Sequence, residues 1–398
     1  MTETNMAESR KTAESPKLNI LYFGPLGLSG GIGGSARLRN MLDVLMKLEA
    51  HTRLITYLPE KRFRVDHQRI NDYLDATIIS VPTSAPRIFK LPALKLVFYY
   101  GLKYARRSDI IFAHSPSIVY GFPALVMAKL FRKPVLIDLT DTRDPATPAF
   151  LYRYVLRHAS IVFAVSRYLV DVARMAGCRN VVHAPGFIDT DAFQKDNAAR
   201  AGIRKELNID SKDIVIGYAG AISPDEGLTY VIEALEKLSP RYPNLKLVLL
   251  GGRNTPGADD ISQLIGELDL KDKVTLIPTQ PYEMVPGYLS AFDIGVSPKI
   301  DLELNRAADP IRVYEYMAVG LPVVASAIGE TANAIEDRVD GFLAKPEDAD
   351  DLAKVLGHII QDFDSLQGLR EKAREKVIKG YSQQSTLEKL SVHLKNLI

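Results

Sequence analysis

A glycine-rich turn follows the first apolar segment of the sequence and has the composition of an anion-binding site. The apolar run LNILYF begins at Leu18 and leads into GPLGLSGGIGGSARLRN, which opens a predicted helix near Ser35. Glycines such as Gly33 and Gly34 let backbone amides approach an anion closely, and a helix amino terminus adds positive potential there. The turn therefore predicts a phosphate site, although a flexible surface turn would have the same composition.

The end of the second predicted strand argues against a nicotinamide-dependent oxidoreductase. Such an enzyme needs an acidic side chain about 20 residues beyond the glycine-rich turn, where it binds the ribose. Here the strand ends with Thr56, Tyr57, Leu58 and Pro59. This ending disfavours a dinucleotide ligand.

Acidic side chains follow another predicted strand of the first half, in the run DLTDTRD. They are Asp138, Asp141 and Asp144. Because open α/β sheets bind ligands at the carboxyl ends of their strands, we expect these carboxylates to face a ligand cleft. They could bind the hydroxyl groups of an acceptor or cap the next helix.

The segment DPIRVYEYMAVGLPVVAS, which begins at Asp309, has the most specific pattern in the sequence. Glu315 lies on a short predicted helix, and Gly320 and Pro322 lead into the buried strand VVAS. At this point the sequence resembles glycosyltransferase family 4, a retaining GT-B family whose signature is an acid followed by a Met-Ala-x-Gly-x-Pro-Val-Val-Ala run. The resemblance extends over nearly all of the chain after Lys17 and includes AVSRYLVDVARMAG and GYAGAISPDEGL.

The resemblance implies roles for individual side chains. Glu315 would accept hydrogen bonds from the ribose hydroxyls of a nucleotide sugar, a task that suits a carboxylate. His114, at the carboxyl end of the predicted strand in DIIFAHS, would contact the donor sugar near its reacting carbon, although a histidine there could also be structural. Gly220, Asp309 and Pro310 would lie on the donor side.

Two departures from the family pattern concern the charges around the donor. The family often has a second acid eight positions before the one at Glu315, where this sequence has Ala307. It commonly has Arg and Lys in the first loop of the second domain, where this sequence has Ala221 and Glu226. A departing diphosphate needs electrostatic stabilisation, so another cation must supply it. The candidates are Arg312, Arg253 and, on the opposing domain, Arg37.

The implied reaction is transfer of a sugar from a nucleotide-diphosphate sugar to a glycan, lipid-linked or other hydroxyl acceptor. It would proceed with retention of configuration and without a metal or other cofactor, the nucleotide sugar being a co-substrate. The motif Asp189-Thr-Asp191 could suggest a metal site, but its position between the domains predicts a turn.

The segment from Pro86 to Arg107 contains six basic residues, many apolar and aromatic residues, and no acid. This composition resembles an interfacial helix whose cations meet anionic headgroups while aromatic rings enter the boundary. A core helix with snorkelling basic side chains would have the same composition. The sequence therefore raises peripheral contact with an anionic membrane as one interpretation.

Short apolar runs alternate with amphipathic stretches from Leu18 onward, as in parallel sheets joined by crossover helices. We predict an α/β chain of GT-B architecture, with two facing Rossmann-like domains, parallel sheets and a cleft between them. The predicted parts are a disordered polar tail (1–17), an acceptor-side domain (18–188), a connection (189–212), a donor-binding domain (213–380) and a C-terminal helix able to pack back across the cleft (381–398).

Composition limits the class of protein. The chain has 398 residues, of which 46% are hydrophobic and 25% charged, so two globular domains fit its length. A net charge of +2 does not support a nucleic-acid partner. The single cysteine, Cys178, excludes an intrachain disulfide and fits a reducing compartment. We expect a cytoplasmic protein, with contact at the inner membrane face as an extension.

Three other functions are compatible with parts of the pattern. A sugar-nucleotide-binding protein without transferase activity would explain the changes at Ala307, Ala221 and Glu226. A sugar-nucleotide epimerase can have the same two-domain fold. A NAD-dependent oxidoreductase would explain the repeated α/β units but not the segment around Glu315. The nucleotide, sugar and acceptor depend on pocket shape rather than on motifs.

Overall fold

The structure is a computed structural model that describes residues 18–25, 33–60, 62–82, 90–251 and 257–397. The predicted polar tail, most of the glycine-rich turn, Arg253 and the first residues of the segment from Pro86 lie outside these ranges.

The first half of the chain forms an eight-stranded sheet in the order β3-β4-β2-β1-β5-β6-β7-β8. Its strands are β1 (Leu18–Phe23), β2 (Ala50–Glu60), β3 (Arg64–Arg69), β4 (Leu74–Pro82), β5 (Ile110–Ala113), β6 (Val135–Leu139), β7 (Ile161–Ala164) and β8 (Val181–His183). Its helices are α1 (Gly33–Lys47), α2 (Lys90–Ala105), α3 (Gly121–Phe131), α4 (Ala149–His158) and α5 (Arg167–Met175).

The second half forms a six-stranded parallel sheet in the order β11-β10-β9-β12-β13-β14. Its strands are β9 (Ile214–Ala219), β10 (Leu245–Leu250), β11 (Val274–Ile277), β12 (Ile294–Ser297), β13 (Val323–Ser326) and β14 (Phe342–Ala344). The helices are α6 (Asn197–Glu206), α7 (Leu228–Leu238), α8 (Ala258–Glu267), α9 (Val285–Ala291), α10 (Glu303–Ala307), α11 (Ile311–Ala318), α12 (Gly329–Ala334), α13 (Ala349–Gln361), α14 (Gln367–Gly380) and α15 (Gln383–Lys395).

Helices cover both faces of each sheet, because alternate strand residues place apolar side chains on both faces. On β1, Leu21 and Phe23 pack with α2 to α5, whereas Ile20 and Tyr22 pack with α1 and α15 on the opposite face. On β9, Ile216 packs with α7, α8 and α13. Successive strand residues point to opposite faces, so strands buried on both sides appear in sequence as continuous apolar runs. The two mostly parallel sheets confirm the predicted α/β fold class.

Sequence reasoning missed the edge strand β3. It pairs antiparallel with β4 and is largely exposed, and its sequence RVDHQR contains no apolar run. A polar edge strand leaves little hydrophobic signal because one side has no neighbouring strand. The short strand β14 was also missed.

Helix α6 packs within the second half of the chain, whereas α15 packs on the first. Within the polar connection after Asp189, α6 packs on α9, and Arg200 and Arg204 both pair with Asp293, at 2.6 and 3.0 Å. At the other end of the chain, Leu390 and Leu394 of α15 are buried against the first sheet. Among the described residues, no helix is long and apolar enough to cross a bilayer.

Candidate functional site

Glu315 lies on α11, whose start is set by Pro310 directly before Ile311. The Glu315 side chain is buried, and its Oε1 atom accepts a hydrogen bond from the Tyr282 hydroxyl at 2.9 Å. Burial raises the pKa of Glu315 to about 7, although Tyr282 and Arg312 act in the opposite direction. Tyr282 was not identified from sequence.

Arg312 precedes Glu315 by one helical turn and reaches the carboxyl end of β9. Its Nε donates to the carbonyl of Ala219 at 2.5 Å, and its Nη1 donates to Glu226 Oε2 at 2.7 Å. The guanidinium lies 4.3 Å from the centroid of the Tyr218 ring. The predicted cation is therefore held in place by a carbonyl, a carboxylate and an aromatic face.

Glu226 and Lys299 complete this group of charges. Lys299 follows β12, which pairs with β9, and its Nζ lies 3.6 Å from Glu226 Oε1. Burial alone would raise the pKa of Glu226, but the charges of Arg312 and Lys299 lower it to about 2. Lys299 was missed in the sequence, where its only signal is its place just after the strand DIGVS.

Gly220 allows the close approach of Arg312. It has a φ of +154°, and a Cβ atom there would come 2.2 Å from Arg312 Nη2. At the end of the neighbouring strand, a Cβ on Gly251 would come 2.5 Å from the carbonyl oxygen of Gly220. The lack of a side chain at Gly220 thus leaves room for Arg312, since any side chain there would displace the guanidinium.

On the first domain, Arg37 and Asp138 form a buried ion pair. Arg37 Nε donates to Asp138 Oδ2 at 3.0 Å and Nη2 donates to Oδ1 at 2.6 Å. Burial would raise the pKa of Asp138, but Arg37 and His114 lower it to about 2. Both Asp138 oxygens accept from Arg37, so the observed arrangement is neither a helix cap nor a carboxylate free for acceptor hydroxyls.

His114 directly follows β5, and its Nδ1 lies 3.8 Å from Asp138 Oδ2. The side chain is 13% exposed. Gly24 lies against it, since a Cβ on that glycine would come 3.1 Å from the His114 Cβ. The structure therefore brings His114, Arg37 and Asp138 together at the carboxyl ends of β5 and β6.

The remaining predicted acids occupy less enclosed positions than Asp138. Asp141 is exposed, and Asp189 accepts backbone hydrogen bonds from Asp191 and Ala192 at 3.0 and 3.1 Å, which confirms the predicted turn. Among the described residues, no group of three or more His, Cys, Asp or Glu side chains could hold a metal ion. Gly33 and Gly34 form the first turn of α1.

Asp309 faces the first domain rather than Glu315. Its carboxyl group lies against Gly186, where a Cβ atom would come 2.0 Å from Asp309 Oδ2. Both carboxyl oxygens are shielded from solvent and lack a hydrogen bond of good geometry. Burial raises the pKa of Asp309 to about 7, although the charge of Arg37 opposes the shift. Asp309 and Arg37 are thus electrostatically coupled across the domain boundary.

The amino-terminal turn of α5 contacts the second domain directly. Ser166 Oγ donates to the carbonyl of Ala307 at 2.8 Å, and the Arg167 amide donates to Glu330 Oε2 at 2.8 Å. Ala307 is buried against the core of the first domain. The position at which the family often has an acid is therefore part of the domain contact.

A cavity of about 290 Å³ lies beside this contact, away from Glu315, and is lined by residues that include Tyr168, Arg306 and Asn333.

Helix α2 has both a packed and an exposed face. Ala93 and Val97 are buried against the sheet, whereas Tyr99 and Leu102 are 59% and 45% exposed. The basic residues Lys95, Lys103, Arg106 and Arg107 are also exposed. The helix thus fits both sequence interpretations, because it packs on the core and presents apolar and basic side chains to the outside.

Residues 199–376 match the sequence model of the family described as glycosyl transferases group 1. This match supports the resemblance to glycosyltransferases that was drawn from the segment around Glu315. It covers most of the second domain, including Arg312 and Lys299.

Two curated relatives align with larger parts of the chain. The alpha-D-kanosaminyltransferase of Streptomyces kanamyceticus is 26% identical over 270 residues, which are 64% of this chain and 68% of that protein. The D-inositol 3-phosphate glycosyltransferase of Stackebrandtia nassauensis is 30% identical over 257 residues, which are 61% of this chain. The chain spans 56% of the length of that second relative.

Similarity to solved structures extends over both domains. A crystal structure of Anabaena HepE in complex with UDP superposes with a TM-score of 0.75 and covers 95% of this chain and 100% of that one, at 19% identity. The similarity confirms the GT-B architecture with two Rossmann-like domains.

Proposed function

We propose that the chain, whose residues 199–376 match the glycosyl transferases of group 1, transfers a sugar from a nucleotide-diphosphate sugar to a hydroxyl acceptor. The observation that carries this proposal is the buried Glu315 carboxyl group, held by Tyr282 one turn from Arg312 at the carboxyl end of β9. A carboxylate next to a fixed cation suits a ligand that combines hydroxyl groups with phosphates.

In the proposed donor complex, Glu315 accepts hydrogen bonds from the ribose hydroxyls, and Arg312 meets the diphosphate. His114 contacts the donor sugar from the opposite domain. HepE has been solved with UDP and with UDP-glucose, which supports a nucleotide sugar as the donor class. Arg253 stays a further candidate for the phosphates.

Retention of configuration and independence of a metal rest on the family resemblance. In the proposed step, the bond between the anomeric carbon and the diphosphate oxygen breaks, and the acceptor oxygen bonds to that carbon on the same face. The acceptor proton passes to the departing diphosphate. Cations fixed before the reaction stabilise the charge that builds on this leaving group.

A nucleotide-sugar-binding protein without turnover is the second candidate. It is favoured by Ala307, which replaces an acid and is buried in the domain contact. Binding and turnover must therefore be measured separately. An epimerase would release a changed nucleotide sugar without an acceptor, and an oxidoreductase would bind NAD.

The test begins with thermal shifts of the full chain against UDP-, GDP- and ADP-sugars and NAD, since a ligand of the native state raises the melting temperature. Release of nucleoside diphosphate from the sugar that binds is then measured with candidate acceptors. Stabilisation by one nucleotide sugar with acceptor-dependent release supports a transferase. Binding without release supports the second candidate, and stabilisation by NAD alone contradicts both.

Peripheral contact with an anionic membrane, at the inner face of a cytoplasmic location, is part of the proposal. Its support is the outer face of α2, where Tyr99 and Leu102 are exposed between Lys95, Lys103 and Arg106. Apolar side chains flanked by cations suit the boundary between headgroups and acyl chains. A membrane location would favour a lipid-linked acceptor.

A further inference from the structure

The charges around Glu226 are unequal in number. Arg312 and Lys299 both lie near this single buried carboxylate, one at each oxygen. Asp225 is also close to Lys299, but it is partly exposed and therefore screened by solvent. Among Glu226, Arg312 and Lys299 there is thus one positive charge in excess. Glu315, one turn from Arg312, offsets it only when ionised, and burial raises the pKa of Glu315 to about 7. An excess charge at largely buried positions is costly unless an anion accompanies it.

The two cations are held with different strength. Arg312 uses Nε and Nη1 in short hydrogen bonds of 2.5 and 2.7 Å. Lys299 Nζ has longer contacts, 3.3 Å to Asn305 Oδ1 and 3.6 Å to Glu226 Oε1. Charge-assisted hydrogen bonds to carboxylates are typically about 2.7 to 2.9 Å long. The ammonium of Lys299 therefore keeps donor capacity for another anionic partner.

Gly227 brings the two loops of this group together. Its φ is +67°, and a Cβ atom there would come 2.1 Å from the carbonyl oxygen of Pro298. This contact packs the loop that contains Glu226 against the loop that contains Lys299. Gly227 also directly precedes α7, whose amino terminus adds positive potential at the same place.

We propose that Lys299 is a binding residue for the diphosphate of the donor and shares this task with Arg312. Glu226 is a positioning residue that holds both cations at the carboxyl ends of β9 and β12. The loop positions Ala221 and Glu226 lack positive charge, and residues from two other elements supply it instead. This assignment rests on the proposed function, because it takes the anion to be a nucleoside diphosphate.

Calorimetry first measures the binding of UDP, GDP and ADP to the full chain. The diphosphate that binds most tightly and the corresponding nucleoside monophosphate are then used to compare the variants. The variants are Lys299→Met, Lys299→Arg and the control Lys246→Met. Lys246 lies near the amino end of β10 and donates to the carbonyl of Asp272 at 2.7 Å, away from the proposed site.

We expect Lys299→Met to weaken diphosphate binding about tenfold or more, and to weaken monophosphate binding less. The salt dependence of diphosphate binding should also decrease, because one cation is lost. Lys299→Arg should recover most of the affinity, and Lys246→Met should bind as the parent does. A purely structural lysine would not separate diphosphate from monophosphate.

If Lys299→Met does not fold, the parent protein provides a second measurement. Acetylation of lysines is followed by mass spectrometry with and without the diphosphate, and protection of Lys299 but not Lys246 is expected. The assignment of Lys299 would be overturned if Lys299→Met bound the diphosphate with the affinity and salt dependence of the parent. It would also be overturned if the diphosphate did not protect Lys299 from acetylation. In both cases the donor proposal would stand. A parent that binds none of the three diphosphates would overturn both.

Discussion

The guanidinium of Arg312 donates to the carboxylate of Glu226 across 2.7 Å and joins α11 to the loop between β9 and α7. The loop thus provides the carboxylate of this ion pair, and the helix provides the guanidinium. Glu226, which in sequence looks like the loss of a phosphate-binding cation, instead holds Arg312 in place. The charge of the site depends on this pair together with Lys299.

Arg312→Ala should have two separable effects. Loss of charge stabilisation on the departing diphosphate should lower kcat about a hundredfold or more. Glu226 would also be left buried near a single distant cation, which should cost about 3 kcal/mol or more of unfolding free energy. The double variant Arg312→Ala/Glu226→Gln should recover stability but not kcat, as measured by denaturant unfolding and steady-state kinetics. Parental kcat in the folded double variant would contradict the role of Arg312.

Glu315→Gln should weaken donor binding with little loss of structure. The amide keeps the size of the side chain but forms weaker hydrogen bonds with ribose hydroxyls, so affinity should fall about tenfold, or by about 1 to 2 kcal/mol. Calorimetry with the preferred nucleoside diphosphate measures the change, and circular dichroism checks the fold. Unchanged affinity in a folded variant would contradict the role of Glu315, on which the proposed function depends.

The protonation of Glu315 should appear in the pH dependence of stability. Its folded pKa of about 7 lies above its ordinary value of 4.5, so the folded state binds the extra proton between these values. The associated stability is fully present below pH 4.5 and is lost as pH rises through about 7. Urea unfolding should therefore show that the parent loses unfolding free energy relative to Glu315→Gln as the pH rises from 4.5 to about 7. A pH-independent difference would contradict the raised pKa.

Gly186→Ala should destabilise the contact between Asp309 and the first domain. The added methyl would come 2.0 Å from both Asp309 Oδ2 and Ile311 Cδ1, and overpacking of this kind costs about 1 to 3 kcal/mol. Gly202→Ala is the matched control, because nothing lies within 4 Å of its Cβ position in α6. That substitution should be neutral or stabilising. Equal melting temperatures for Gly186→Ala and the parent would show that the contact is not tight.

Replacing Lys95, Lys103, Arg106 and Arg107 with Gln should weaken binding to anionic vesicles at low salt, and added salt should weaken binding of the parent. The control changes four exposed lysines of the second domain, Lys205, Lys237, Lys271 and Lys354, and so alters net charge equally. Co-sedimentation with anionic and with neutral vesicles measures the binding of both variants. Equal binding of the two variants would remove the membrane proposal.

Elements whose signal is local could be predicted from the amino-acid sequence. The continuous apolar runs LNILYF, DIIFAHS and VVAS correspond to β1, β5 and β13, because a strand buried on both faces needs apolar side chains in succession. The sequence also predicts Glu315 and Arg312 as site residues, since both stand in one short segment with a specific spacing. It failed at β3, where a polar edge strand leaves no such pattern.

Which charges neutralise each other could be seen only in the folded chain. Arg312 meets Glu226 from 86 positions away, and Arg37 meets Asp138 from 101 positions away. Lys299 joins Glu226 only because β12 lies beside β9 in the sheet. Electrostatic interactions depend on distance in space and on burial, and the order of strands in the sheet sets both, so the pairing of these side chains is not contained in their spacing along the chain.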